Sequence, residues 1–137
     1  MRFSLIISIL ITLFIWMNSL LPADVSSAQC GFIVGIADDL LSCVGIHLDV
    51  DTLHIIIRKL AHFFEFFILG ISLSIYMIKE EKKIYHVIWI GLMIAIIDET
   101  IQLFIDGRGS SILDVGIDLI GIISGLFIIK LFLKATH

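Results

Sequence analysis

The sequence predicts an all-α fold: an integral membrane bundle of four transmembrane helices with a short amphipathic helix in the first outer loop. Three observations carry this. The 137 residues are 59% hydrophobic and only 16% charged, against about 45 to 50% apolar and about 25% charged in ordinary globular domains. Mean hydropathy is +1.12. Four apolar stretches, residues 3–21, 58–78, 84–105 and 111–133, each cover a ~30 Å hydrocarbon core at about 1.5 Å per residue. In lipid only a helix satisfies its backbone within one such segment. The whole chain, 1–137, reads as one transmembrane domain, and a soluble enzyme is excluded. Nine Lys+Arg against thirteen Asp+Glu, a formal charge of -4, exclude nucleic acid as a partner.

The first stretch follows Arg2 and precedes the small residues Ser26, Ser27 and Ala28, a pattern shared with signal peptides cleaved after such a site. Retention as the first span is the expectation. Gln29 stands before Cys30 where a lipoprotein signal takes Gly or Ala. The following loop, 22–57, carries Asp24, Asp38, Asp39, Asp49 and Asp51 and no Lys or Arg. Within it Ile33, Ile36, Ala37, Leu40, Leu41 and Val44 repeat at helical spacing. That stripe predicts a short helix lying on the membrane surface or capping the bundle. Cys30 and Cys43 are expected as free thiols, although a disulfide between them would be allowed in an oxidising compartment.

Orientation follows from the cations. Arg2, the run Lys79, Lys82 and Lys83, and the pair Lys130 and Lys134 fall on one side of a four-span arrangement, which predicts a multi-pass protein of the cell membrane with both termini cytoplasmic.

Each later span then carries polar residues where the bilayer penalises them by roughly 2.5 to 3.5 kcal/mol apiece. In the second, Arg58, His62 and Glu65 share one helix face beside Lys59. The third ends with Glu99, Gln102 and Asp106 on one face and Asp98 about 100° around from Glu99. The fourth places Asp114, Asp118, Gly121 and Gly125 on one stripe. Gly121 and Gly125 have the spacing of close helix packing, and Ser110 and Ser111 that of a helix cap. All three polar patches converge on the outer leaflet, with Arg108 between the last two.

The expected ligand-binding set is Arg58, Lys59, His62, Glu65, Asp98, Glu99, Gln102, Arg108, Asp114 and Asp118. Pairing of Arg58, Lys59 and Arg108 with Glu65, Glu99, Asp114 and Asp118 would offset part of the burial cost. His62 with Glu65, Glu99, Asp114 and Asp118 supplies enough ligands for a divalent metal. The cations favour an anion such as phosphate, with His62 or a carboxylate as candidate general base.

The stretches RKLAHFFEFFILG, DETIQLFIDGR and DVGIDLIG, in this order, together with the Ser-containing segment NSLLPADVSSAQC, resemble the VanZ-like family of small bacterial membrane proteins. The resemblance covers the whole chain. Phe66 stands where Tyr is common in the family, and Asp106 replaces a frequent Pro before Gly-Arg. The resemblance implies a cell-envelope protein of Gram-positive-type bacteria with a link to teicoplanin and lipoglycopeptide resistance, and it implies no reaction. Three readings stay open: a protein with an outer-leaflet pocket for an anionic lipid or lipid-linked cell-wall component; a membrane hydrolase or phosphotransferase acting on envelope lipids, metal-assisted or using a general base among His62, Glu65, Glu99, Asp114 and Asp118; and a structural, partner-binding subunit. Four short spans hold a transport pathway only if several chains form an oligomer.

Overall fold

The computed structural model describes residues 2–135, without the side chain of Arg2; the orientation signal expected of Arg2 lies outside the described residues. Five helices follow in order: α1 (Arg2–Ser19), α2 (Ala23–Cys43), α3 (Val50–Lys79), α4 (Tyr85–Gln102) and α5 (Ile112–Ala135). No strand occurs among the described residues. Three of these, α3, α4 and α5, are long and apolar enough to cross a membrane. A fourth apolar stretch, α1 followed by α2, is bent by 108° at the break between them. Large apolar side chains such as Phe14, Trp89, Phe127 and Phe132 lie exposed on the outside of the bundle, as lipid-facing residues do.

The helix limits differ from the apolar stretches for local reasons. α3 starts at Val50 because the Asp49 carboxylate accepts the Thr52 N–H at 3.3 Å, which caps the helix eight residues before the expected span. α2 is longer than the expected stripe and begins directly after Pro22, whose fixed φ suits the residue preceding a first turn. It ends in a Schellman turn: Gly45, at φ +76°, donates to Ser42, and Ile46 donates to Leu41 at 2.9 Å. Because Cys30 and Cys43 sit thirteen residues apart on this one helix, their Cα atoms are about 20 Å apart, beyond disulfide reach. Both are free. α5 starts where expected, with the Ser111 hydroxyl accepting the Leu113 N–H at 3.2 Å.

Packing centres on α3. Ile15 from α1, Phe66, Leu69, Leu73 and Met77 from α3, Val87 and Ala95 from α4, and Ile122 from α5 form the buried core. Along the α3–α5 seam the backbones touch almost directly. A Cβ built on Gly121 would meet the Phe63 carbonyl oxygen at 2.6 Å, Gly125 lies against the Phe67 carbonyl, and Gly70 against that of Ile122. Ser8 of α1 and Ser72 of α3 share a buried hydrogen bond of 2.8 Å. These contacts bring the end of α1, the first half of α3, the end of α4 and the start of α5 to one end of the bundle.

Candidate functional site

The sequence-predicted polar residues gather at this end, and the structure sorts them into three groups. Lys59 and Asp114 form an ion pair at the partly exposed margin. It is the one pairing, of those expected between the basic and acidic residues, that forms among the described residues. Glu65 is instead taken by Asn18, whose Nδ2 donates to it at 2.7 Å. Glu99 accepts the Ser111 N–H at 2.9 Å, tying the end of α4 to the start of α5.

A second group lies inside. His62 Nδ1 stands 3.8 Å from Asp98 Oδ2 and 4.0 Å from Asp118 Oδ1, and one ligand atom from each of the three lies within 4.8 Å of the others. Asp98 and Asp118 are completely buried. Gln102 donates to Asp98 Oδ2 at 2.9 Å and to Ser19 Oγ at 3.3 Å. Of the residues expected as possible metal ligands, the structure brings His62 and Asp118 together with Asp98, while Glu65, Glu99 and Asp114 are not part of this group. Helix phase is the reason. Successive residues differ by about 100°, so when Asp98 turns inward Glu99 turns toward the α4–α5 turn. Asp114 likewise sits one turn beyond Asp118, at the margin with Lys59, and Asp106 is exposed.

The third group surrounds space. Asn18, Ser26, Gln29, Cys30, Arg58, Ala61, His62, Glu65 and Arg108 line a cavity of about 80 Å³. It adjoins a larger one of about 250 Å³ that shares Ser26, Cys30 and Arg58 and adds Asp51, His54 and Gly107. α2 is one wall of both. Its start is fastened to the α4–α5 turn, where the Ala23 N–H donates to the Asp106 carbonyl at 3.3 Å. Gly107, at φ +73° and against Ala23, lets the chain turn there so that Arg108 follows beside the cavity. Among the described residues neither Arg58 nor Arg108 has an ion-pair partner, and Arg108 Nε is buried without a hydrogen bond. Burial and the nearby Arg58 both pull the Arg108 guanidinium below its ordinary pKa.

Sequence reasoning did not single out Asn18, Ser19, Ser26, Gln29, Cys30 or His54 as site residues. For all but His54, which lies on α3, the signal was present in the segment NSLLPADVSSAQC, whose polar residues have no helical partner pattern until the 108° bend folds them back over α3.

The arrangement thus combines two cations, unpaired among the described residues, over a cavity with a buried histidine and two carboxylates alongside. No curated protein and no solved structure matches the chain. The VanZ/LLP1 family model matches residues 3–133, nearly the full length, and the chain belongs to that family.

Proposed function

We propose that this protein holds the anionic head group of a membrane lipid or lipid-linked cell-wall component in the cavity between α2, α3 and the α4–α5 turn. The observation that carries this is the pair Arg58 and Arg108: two half-buried guanidiniums line one cavity with no carboxylate bound to either among the described residues. Like charges brought together in a low-dielectric setting repel, and a phosphate between them replaces that repulsion with charge-assisted hydrogen bonds. Ser26, Gln29 and Asn18 offer further polar contacts around the same space. The positive-inside rule supports an outer-leaflet location, since Lys79, Lys82, Lys83, Lys130 and Lys134 lie toward the other end of the helices. The exposed apolar stripe of α2, with Ile33 52%, Ile36 46% and Leu40 66% exposed, supports a helix resting in the interface rather than one sealed onto the bundle.

The test is lipid retention by the full chain extracted into mild detergent, measured by native mass spectrometry with phosphatidylglycerol against phosphatidylcholine. Wild type keeps phosphatidylglycerol preferentially. Arg58→Gln and Arg108→Gln each weaken that preference about tenfold or more, the scale of a lost charge-assisted contact of about 1.5 to 3 kcal/mol. Equal retention by the double variant would sink the proposal. The family resemblance further supports a role in lowering teicoplanin action; inhibitory concentrations of teicoplanin and vancomycin in a susceptible Gram-positive host, compared for wild type and Arg58→Gln at matched membrane levels, decide it. A second reading, hydrolysis or transfer of the bound phosphate, is favoured by His62, which lines the same cavity and is placed to serve as general base.

A further inference from the structure

Asp118 is 0% exposed, and among the described residues neither of its carboxylate oxygens has a hydrogen-bond partner. Asp98 is also 0% exposed with Oδ1 unpartnered, and His62 Nδ1, between them, is buried and unpartnered as well. Three converging groups therefore carry four orphaned buried atoms, and an unmade hydrogen bond in the interior is costly, more so for a charged group. The protein's own cations do not answer them. Lys59 is engaged by Asp114, and Arg58 and Arg108 form no ion pair with either acid.

We propose that His62, Asp98 and Asp118 bind a divalent first-row metal ion of the zinc or manganese kind. One imidazole nitrogen and two carboxylate oxygens form a donor set suited to these ions. A metal at about 2.0 to 2.1 Å from each donor would hold the donors about 3.3 Å apart. The observed 3.8 Å and 4.0 Å separations from His62 Nδ1 require a closure of under about 1 Å, within side-chain freedom. The supporting shell is present too, because Gln102 orients Asp98 through its Oδ2 contact. A cavity of about 10 Å³ bounded by Arg58, Lys59, His62, Glu99, Gln102, Asp114, Ile117 and Asp118 adjoins the cluster, space for about one water as a further ligand. The inference rests on these three side chains and not on the anion reading.

The test uses the full chain in detergent, stripped with chelator, exposed separately to Zn²⁺ and Mn²⁺, desalted, and assayed for metal by mass spectrometry. One ion per chain is expected for one or both metals. Asp118→Asn and Asp98→Asn lower the affinity about a hundredfold or more, beyond what loss of an orienting contact does. Arg108 lies outside the cavity that adjoins the cluster, and Arg108→Gln keeps the metal while losing phosphatidylglycerol, so failure of either proposal is visible without the other. Circular dichroism and gel filtration establish that each variant is folded. If a variant is misfolded, Co²⁺ loading of wild type decides instead: a visible d–d spectrum abolished by Zn²⁺ supports the site, and its absence overturns it. Wild type binding no more metal than a folded Asp118→Asn variant also overturns it, and leaves shared protons as what neutralises the cluster.

Discussion

Lys59 and Asp114 form an ion pair whose side chains are 38% and 25% exposed, whereas Glu65 is partly buried and takes its hydrogen bond from Asn18. The two contacts should differ in worth. An exposed pair pays side-chain entropy and is screened, so a double-mutant cycle on Lys59→Met and Asp114→Asn is expected to give a coupling below about 1 kcal/mol. Asn18→Leu instead leaves the Glu65 carboxylate without that donor, at a cost of about 1 to 3 kcal/mol. Adding Glu65→Gln to Asn18→Leu should recover part of the loss, since the remaining group no longer carries a full charge. Thermal unfolding in one detergent compares all five variants, the double variant of the cycle included. A larger loss from Lys59→Met than from Asn18→Leu would show that the marginal ion pair, not the interhelix contact, secures this end. The pairing of Glu65 with Asn18 was not legible in the sequence: spacing reveals which residues share a face of one helix, and here the partner lies 47 residues away on another.

At the level of elements, the α3–α5 seam depends on the absence of side chains. Gly121 sits where a Cβ would come within 2.6 Å of the Phe63 carbonyl oxygen, while Gly116, on the same helix, has nothing within 4 Å. Alanine therefore acts in opposite directions five residues apart. Gly121→Ala must push two backbones apart, for which about 1 to 3 kcal/mol of destabilisation is expected. Gly116→Ala relieves the entropic penalty of glycine within a helix and should be neutral or stabilising by up to about 1 kcal/mol. The unfolding midpoint of each variant checks this, and a shift of the same sign in both would refute close backbone approach as the reason. Sequence spacing carried much at this scale. Apolar runs located α3, α4 and α5, and Ser111 marked the start of α5. The bend between α1 and α2 was hidden because it requires only residues 20–22, and an apolar run reads alike whether it continues straight or turns after Pro22.

For the whole molecule, one asymmetry governs what the site can meet. The polar residues lie toward the end where α3 begins and α4 ends, and Lys79, Lys82 and Lys83 lie near the opposite turn, between α3 and α4. If those lysines are cytoplasmic, Cys43, exposed at the end of α2, faces the outside. A membrane-impermeant maleimide should then label Cys43 on intact cells, with Cys43→Ser removing the fast phase of labelling. In a chain carrying Cys30→Ser, Cys43→Ser and Lys83→Cys, the new thiol should react only after permeabilisation. The half-buried Cys30 should react more slowly than Cys43, because it lines the cavity with Arg58. The reverse pattern, Lys83→Cys labelled on intact cells and Cys43 protected, would turn the arginine pair toward the cytoplasm. The anion site would keep its geometry, but its ligand would come from inner-leaflet lipids, and direct contact with an extracellular glycopeptide or its cell-wall target would no longer follow.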